Sequence, residues 1–232
     1  MTTKTTISLL PPTPSISQTY HPTLRSCIQK TSSSSLPPTP QTFLDSMVVR
    51  ETVFVDEQKV ALENEFDDED PRCWHWVLYA GDSEEGMKPV GTIRLVPFPQ
   101  QGETPRAGGV YFGGQLVNAE EMGSATTAPD HQDEEPHLSL GRLAVLPAYR
   151  GRGFARLLIS AALQYAQEHP TLFNVSQPGR DLTWNGLVCI HAQVGAMEMW
   201  ARNGFQVDES LGRWWEEGME HVGMYRRCEI AR

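Results

Sequence analysis

Apolar residues recur along this chain at two spacings, one typical of helices and one typical of strands. Helical spacing predicts helices at about residues 42–58, 154–168 and 196–203. Short apolar runs bounded by polar turns predict strands at residues 74–80, 90–96, 140–146, 187–191, 214–215 and 222–228. The first two of these strands are separated by a short polar turn and should form an antiparallel hairpin. The alternation of strands and helices predicts an α/β fold with a mixed sheet.

The start of the chain lacks this periodicity. Residues 1–19 are rich in Thr, Ser and Pro and carry one charged residue, Lys4. Such a segment cannot bury enough apolar surface to offset its chain entropy, so it is predicted to be a disordered tail. Residues 23–29 are the candidate first strand, and residues 31–40, with four successive serines, are a candidate linker.

A second irregular stretch interrupts the middle of the chain. Residues 97–136 are rich in Gly, Pro and acidic residues around the apolar island Val110–Phe112. So long a segment is either a mobile lid over an acceptor site or a disordered insertion. The length of 232 residues then favours a single domain over residues 20–232 that carries this insertion.

Composition excludes several classes of function. The net charge of −10 argues against binding to nucleic acid or to an anionic membrane, and it favours a cationic acceptor. The cysteines form no Cys-x-x-Cys pair, so neither a zinc site nor a disulfide framework is indicated. His131, His137 and His191 lack metal-ligand spacing, and no metal is inferred. The four cysteines are Cys27, Cys73, Cys189 and Cys228.

The expected location is the cytoplasm. No apolar run reaches the 18 or so residues that span a bilayer, which predicts a soluble protein, and the cysteine usage fits a reducing compartment. The chain has no acidic residue before Asp45, as in an organelle transit peptide, but its only basic residues there are Lys4, Arg25 and Lys30. A mitochondrial protein is therefore the lesser alternative.

The most informative motif lies between the strand at 140–146 and the helix at 154–168. Glycines between a strand and a helix let backbone N–H groups surround a phosphate, and the positive end of the helix dipole lies at the same place. The motif fits neither the Gly-x-Gly-x-x-Gly dinucleotide fingerprint nor a P-loop. It predicts a cradle for a diphosphate-bearing cofactor, formed by Arg150, Gly151, Arg152, Gly153, Phe154 and Ala155.

This motif resembles the acetyl-CoA motif of the GNAT superfamily of N-acetyltransferases, Arg/Gln-x-x-Gly-x-Gly/Ala. Arg150, Gly153 and Ala155 occupy its defined positions. The resemblance implies acetyl-CoA as co-substrate and a mixed sheet of six or seven strands, splayed in the middle and flanked by helices. It also implies that backbone amides of the splayed strand contact the pantetheine arm and the thioester, here at Leu143, Ala144 and Val145.

Two further segments support the resemblance. The family pattern Asn-x-x-Ala-x-x-x-Tyr-x-x-x-Gly-Phe is matched by Ala196, Gly204 and Phe205 in register. Residues 53–58, the acidic run at 63–70 and the late Gly-x-x-His-x-x-Met segment resemble the ElaA-like group of small acetyltransferases. GNAT domains often pair, so a homodimer is possible.

The chain departs from the family at the general acid. Where many relatives place a tyrosine that protonates the leaving thiolate, this chain has Trp200, whose indole N–H cannot transfer a proton but could pack against CoA. Gln193 replaces the usual Asn and can still bond the pantetheine. Water, the acceptor ammonium or another group then supplies the proton, with Tyr225, Tyr149 and His221 as candidates.

Two residues are candidate general bases. Glu57 ends the first helix beside Phe54, where partial desolvation would raise its pKa; the alternative is a surface carboxylate. His221 is a titratable residue in the matched Gly-x-x-His-x-x-Met segment; the alternative is a structural histidine. The acidic run at 63–70 is either a solvated loop or an attractant for a cationic amine.

The predicted activity is acetyl-CoA-dependent N-acetylation of a small primary amine, such as an amino sugar or a polyamine, by direct attack in a ternary complex. Acceptance of a protein lysine or N-terminus is the alternative within the enzyme class. Because the usual tyrosine is absent, a non-catalytic acyl-CoA-binding module is the alternative outside it.

Overall fold

The computed structural model describes residues 3–28, 38–81, 86–100, 105–118, 135–177 and 180–230. These residues belong to two compact units. One unit is made of Met1–Val96 and Leu140–Tyr165, and the other of Pro97–Ser139 and Ala166–Arg232. The chain therefore passes from the first unit to the second and back before it ends in the second.

The described ranges contain strands, α-helices and short 3-10 turns in alternation. The strands are β1 (Lys4–Leu10), β2 (Trp74–Gly81), β3 (Lys88–Val96), β4 (Val110–Phe112), β5 (Gln115–Leu116), β6 (Leu138–Val145), β7 (Val175–Gln177), β8 (Arg180–Leu182), β9 (Leu187–Gln193), β10 (Gln206–Val207), β11 (Arg213–Glu216) and β12 (Met219–Arg227). The α-helices are α1 (Ile16–Thr19), α2 (Gln41–Arg50), α3 (Phe154–Glu168) and α4 (Met197–Arg202). The 3-10 turns are Ser26–Ile28, Leu62–Asn64, Asp70–Arg72, Pro147–Tyr149, Pro170–Phe173 and Val194–Ala196. Helix α2 continues directly into a π-helix, Glu51–Glu57.

In the first unit the strand order is β1-β2-β3-β6. β2 and β3 form the predicted antiparallel hairpin, and α2 with its π-helical continuation confirms the predicted helix at 42–58. Phe43, Met47 and Val49 of α2 are fully buried, as the helical spacing of apolar residues requires.

The disordered tail predicted over residues 1–19 is wrong for the described part of that segment. Seven residues of β1 pair antiparallel with β2, from Lys4 opposite Gly81 to Leu10 opposite His75. Ile16 and Tyr20 then pack into the core beside Phe43. Backbone pairing with a partner strand supports this segment, and its own Ile7, Leu9 and Leu10 add apolar surface, with Leu10 packed against the same core. The first strand predicted at 23–29 is also wrong, because Ser26–Ile28 forms a 3-10 turn; residues 29–37, which include most of the predicted linker, lie outside the described residues.

In the second unit the strand order is β6-β9-β12-β11-β4-β5, and β10 pairs with β12. β12 is antiparallel to both β9 and β11. Strand β6 begins in this unit, where Leu138 and Ser139 pair in parallel with Val188 and Cys189. A two-residue pairing is short for strands of eight and seven residues.

Part of the 97–136 segment is neither a lid nor disordered. Val110–Phe112 forms β4, which pairs parallel to β11 and antiparallel to β5. Trp215 and Glu217 donate backbone hydrogen bonds to the carbonyls of Gly109 and Tyr111. The apolar island therefore extends the sheet of the second unit, while residues 101–104 and 119–134 lie outside the described ranges. In the part of the chain that the structure describes, none of the helices is long and apolar enough to cross a membrane.

Candidate active site

The predicted phosphate cradle forms a glycine loop directly before α3. Gly151 and Gly153 have φ angles of 76° and 80°, in the left-handed region that favours glycine. A Cβ built on either glycine would meet no atom within 4 Å, so the space beside both is open. The first N–H groups of a helix have no partner within the helix, and here they begin at the end of this loop. The loop therefore fits a phosphate group.

Arg150 does not offer a free charge to that loop, contrary to expectation. Its Nη1 and Nη2 donate to Glu57 Oε1 and Oε2 at 2.7 and 2.6 Å, and its Nε donates to the Val145 carbonyl at 3.0 Å. Arg152 donates to the Ala148 carbonyl and lies over the Tyr149 ring, 5.1 Å from its centroid. Arg152 is therefore the cradle arginine whose charge no carboxylate neutralises among the ion pairs of the described residues.

Glu57 has the opposite electrostatic state to the one predicted. The hydrogen bonds from Arg150 lower its pKa, and its small burial does not reverse that effect. Its side chain is 40% exposed, so the desolvation that would raise the pKa is missing. The expectation of a raised pKa at Glu57 is wrong, because Arg150 donates hydrogen bonds to the carboxylate. This partner is remote in sequence, so the spacing of residues around Glu57 gives no sign of it.

The segment Leu143, Ala144 and Val145 ends strand β6. Ala144 is buried against Val49 and Val53, while the Leu143 side chain is half-buried. Arg142, directly before it, has a φ of 50°, which is uncommon for a residue with a side chain. The regular pleat of β6 is thus interrupted next to the segment predicted to contact the thioester.

In the second unit, the structure brings together two of the three predicted residues. Gln193 at the end of β9 lies directly opposite His221 of β12. His221 is 7% exposed, and its Nδ1 lies 2.9 Å from the Met219 carbonyl. Trp200 on α4 is 5% exposed and packs edge-on against Phe205, with ring centroids 5.1 Å apart. Trp200 is therefore mainly a core residue.

A model of the acetyltransferase (GNAT) family matches residues 42–177, which is more than half of the chain. The chain belongs to the GNAT acetyltransferase family. The matched range includes the π-helix that ends at Glu57 and the glycine loop that follows Arg150, the ion-pair partner of Glu57.

Individual relatives are more distant. An uncharacterised N-acetyltransferase of Halalkalibacterium halodurans is 29% identical over 123 residues, which cover 48% of this chain and 62% of the relative, less than two thirds of its length. A Lactobacillus plantarum protein described as an N-acetyltransferase shares the fold, with a TM-score of 0.52 at 23% identity over 82% of this chain and 92% of its own. Escherichia coli ElaA is similar over 84% of this chain and 94% of its own, at 18% identity and a TM-score of 0.49.

The acidic run of this GNAT chain forms a buried ion-pair network, which neither predicted alternative describes. Arg50 donates to Glu65 at 2.6 Å and to Asp70 at 2.7 Å, and both carboxylates are buried. Arg94 donates to Asp67 at 2.6 Å and to Asp70 at 2.9 Å. Burial alone would raise the pKa of Asp70, but the charges of Arg50 and Arg94 hold it well below its usual range. The run is therefore paired with arginines inside the first unit, and Arg142 joins it through Asp67 at 3.1 Å.

The residues that sequence reasoning missed lie on β9 and β11. His191 Nδ1 lies 3.2 Å from Glu216 Oε1, and Trp214 Nε1 donates to the same oxygen at 2.6 Å. His191 lacks metal-ligand spacing, and within the described residues no group of three His, Cys, Asp or Glu side chains is arranged to hold a metal. The available signal was strand alternation, which puts residues 191 and 193 on one face.

Proposed function

We propose that this GNAT-family protein transfers an acetyl group from acetyl-CoA to the primary amine of a small molecule, by direct attack while both substrates are bound. The observation that carries the proposal is the open glycine loop at Gly151 and Gly153 ahead of α3. In this proposal the loop amides and Arg152 bind the diphosphate of acetyl-CoA.

The remaining binding residues follow from the same assignment. The interrupted strand at Leu143, Ala144 and Val145 would offer backbone amides to the pantetheine arm and thioester, and the Gln193 amide would add a hydrogen bond. The α/β fold and the left-handed Arg142 beside this segment support that assignment. Acetyl-CoA supplies the activated acyl group.

A small cationic amine, such as an amino sugar or a polyamine, is the proposed acceptor. The net charge of −10 supports it, because an acidic protein attracts ammonium groups. The acidic run no longer supports it, since arginines neutralise the buried Glu65 and Asp70.

A non-catalytic acyl-CoA-binding module is the second candidate. Trp200 favours it, because it stands where many GNAT proteins carry the tyrosine that protonates the thiolate, and it is packed against Phe205. Both candidates bind CoA, but only the enzyme releases free thiol when an amine is added.

The first experiment is therefore a free-thiol assay with acetyl-CoA and a panel of amines: glucosamine, glucosamine phosphate, spermidine, an arylamine, free amino acids and a lysine peptide. We expect thiol release with a small amine. Release with the lysine peptide alone would instead identify a protein acceptor, and silence with every amine despite CoA binding would favour the binding module.

A glycine pair tests the cradle independently of turnover. Gly153→Val puts a branched side chain where the phosphate would approach, and we expect CoA binding by calorimetry to be lost. Gly86→Val is the matched control, because Gly86 also has a left-handed φ of 76° and open space around it. Equal CoA affinity in both variants would contradict the cradle assignment.

A further inference from the structure

Arg142, within strand β6, has a backbone conformation that residues with a side chain rarely adopt. Its φ of 50° lies in the left-handed region, where the Cβ crowds the backbone. A left-handed residue inside a strand is typical of a β-bulge, and glycine usually occupies that position. Gly141, directly before it, has open space beside it, yet the left-handed residue is Arg142. An arginine at this position needs contacts that offset the cost of its backbone.

The Arg142 side chain is anchored in the buried ion-pair network. Its Nη2 donates to Asp67 Oδ2 at 3.1 Å, and its Nε lies 3.3 Å from Glu65 Oε1 without the alignment of a hydrogen bond. Asp67 is itself fixed by Arg94, which donates to Oδ1 at 2.6 Å and to Oδ2 at 2.9 Å. Glu65 accepts a hydrogen bond from Arg50 at 2.6 Å. The acidic run thus holds the guanidinium of Arg142 in one place.

The anchoring carboxylate of Asp67 is charged at neutral pH. Burial raises the pKa of Asp67, and the nearby Asp70 adds to that effect. The charges of Arg94 and Arg142 outweigh both and hold the pKa below its usual value. A change of φ at Arg142 would pull its guanidinium away from this anion. A strained backbone persists only where its surroundings over-determine it, and these ion pairs supply that restraint.

The strand segment after Arg142 faces β3 through every second residue. Leu146 donates its backbone N–H to the Val90 carbonyl of β3 at 2.9 Å. A Cβ on Gly91 of β3 would lie 3.2 Å from the Ala144 carbonyl oxygen, so this carbonyl also faces β3. Ala144 and Leu146 therefore present their backbone groups to β3.

Leu143 and Val145 face the other edge of β6. Backbone groups alternate between the two edges of a strand, so the N–H groups of both residues point away from β3. The Val145 carbonyl, on this same edge, accepts a hydrogen bond from Arg150 Nε at 3.0 Å. Arg150 is the first residue of the cradle, and all of these residues belong to the first unit. The outer edge at residues 143–145 is therefore joined to the proposed diphosphate site.

We propose that Arg142 is a positioning residue for acetyl-CoA. Its ion pairs with Asp67 and Glu65 hold the left-handed backbone of residue 142. This conformation directs the N–H groups of Leu143 and Val145 at the pantetheine arm and the thioester. The inference deepens the proposed function and rests on its assignment of this strand to acetyl-CoA. It also gives the acidic run a role at the cofactor site, exerted through Arg142.

Two substitutions separate the backbone of Arg142 from its charge. Arg142→Gly removes the guanidinium but adopts a positive φ freely, whereas Arg142→Val introduces a β-branched side chain that opposes it. By calorimetry, the Kd for acetyl-CoA should stay within about threefold of the wild type in Arg142→Gly and rise by about tenfold or more in Arg142→Val. Glu217→Val is the matched control and should leave the Kd unchanged. Glu217 has a φ of 49° but lies in the turn between β11 and β12, outside the segments assigned to acetyl-CoA.

The nucleotide half of the cofactor shows whether a loss of affinity is local. Adenosine 3′-phosphate 5′-diphosphate keeps the diphosphate but lacks the pantetheine arm and the thioester. Its Kd should be the same in Arg142→Val as in the wild type. An equal loss of both ligands in this variant would overturn the positioning role, because Arg142 would then support the first unit as a whole. An equal loss of acetyl-CoA affinity in Arg142→Gly and Arg142→Val would also overturn it, in favour of a role for the charge.

Asp67→Asn tests the anchor without changing residue 142. We expect the affinity for acetyl-CoA to fall by about threefold or more. Addition of Arg142→Gly to the same chain should restore it, because glycine needs no anchor to adopt a positive φ. Such a rescue is not expected if the ion pairs only stabilise the fold, since the double variant has lost both partners. A double variant as weak as Asp67→Asn alone would overturn the route through Arg142.

The backbone amide signals of Leu143 and Val145 in nitrogen-15-labelled protein report the contact itself. Saturating acetyl-CoA should shift both signals in the wild type and in Arg142→Gly, and shift them less in Arg142→Val. Equal shifts in all three proteins would overturn the role of Arg142 and leave the proposed function intact. A wild type that binds acetyl-CoA without a shift of either signal would overturn the strand assignment, and this inference with it. Shifts as expected without thiol release from any amine would support Arg142 and contradict the proposed activity alone.

Discussion

Arg150 donates two parallel hydrogen bonds, of 2.7 and 2.6 Å, to Glu57, which lies 93 residues earlier in the chain. The pair joins the start of the glycine loop to the end of the π-helix that follows α2. Both side chains are more than a third exposed, and ion pairs of this kind contribute about 0–1 kcal/mol to stability. The consequence of the pair is therefore positional: it holds the first residue of the cradle and occupies the guanidinium.

Glu57→Gln tests whether Glu57 is a base or a partner of Arg150. Removal of the negative charge frees Arg150 beside a site proposed to bind phosphates. We expect kcat to stay within about threefold of the wild type, because a carboxylate with a lowered pKa is a poor base near neutral pH. We expect CoA to bind equally well or more tightly, as measured by calorimetry.

Glu198→Gln is the control for this variant, since Glu198 forms an exposed ion pair with Arg202 on α4. Glu198→Gln should alter neither kcat nor the affinity for CoA. If Glu57→Gln instead slowed turnover by about two orders of magnitude or more while CoA binding was retained, the result would support Glu57 as the general base.

The buried network around Asp70 gives a prediction about stability. Asp70→Asn removes the charge that Arg50 and Arg94 share in the interior, and leaves two buried cations with fewer partners. Breaking a buried pair in this way costs about 3–5 kcal/mol, and we expect a fall of that size in the free energy of unfolding in urea.

Asp68 provides the matched control, because it lies in the same acidic run but is exposed. Asp68→Asn should change the free energy of unfolding by less than about 0.5 kcal/mol. Equal effects of the two substitutions would mean that the run acts through its total charge and not through the Arg50 and Arg94 contacts.

Structural elements that depend on residues close together in the chain could be predicted from the sequence. The glycine loop, the β2–β3 hairpin and the helices at 42–58 and 154–168 each rest on local spacing, and each is found as a loop, hairpin or helix in the structure. The GNAT family was recognisable for the same reason, since its motif around Arg150 and Gly153 is contiguous.

The parts that could not be predicted depend on contacts between distant segments. β1 forms because β2, far along the chain, pairs with it. The state of Glu57 follows from Arg150, and that of Asp70 from Arg94, neither of which is near in sequence. The contact between His191 and Glu216 could not be predicted, because it depends on how the sheet places β11 relative to β9.

Trp200→Tyr tests whether a missing acid limits the reaction. Trp200 is packed against Phe205, so the smaller ring should leave a gap and lower the free energy of unfolding by about 1–2 kcal/mol. We expect no gain in kcat, because the position is buried. Phe205→Leu disturbs the same contact without adding a hydroxyl. A tenfold rise in kcat in Trp200→Tyr alone would show that a tyrosine there can protonate the thiolate.

The burial of His75 leads us to expect that the stability of the protein depends on pH between about pH 6.5 and pH 4. Its Nε2 donates to the Asp70 carbonyl at 2.8 Å, and its ring is buried against Phe43. Burial lowers the pKa of His75 to about 4, although the nearby Asp70 opposes the shift. In the unfolded chain the pKa of a histidine is about 6.5. The unfolded state therefore binds the proton first as the pH falls, and stability decreases between about pH 6.5 and pH 4, by on the order of 3 kcal/mol at most.

His75→Gln removes this titration while keeping an amide that can donate to the Asp70 carbonyl. We expect the free energy of unfolding in urea to fall between pH 7.5 and pH 5 in the wild type and to change much less in the variant. Asp70 does not contribute to the difference, because its pKa lies below its usual value and the stability it provides is lost only below about pH 4. Parallel losses in both proteins over this range would show that another group takes up the proton, and that burial does not keep His75 neutral.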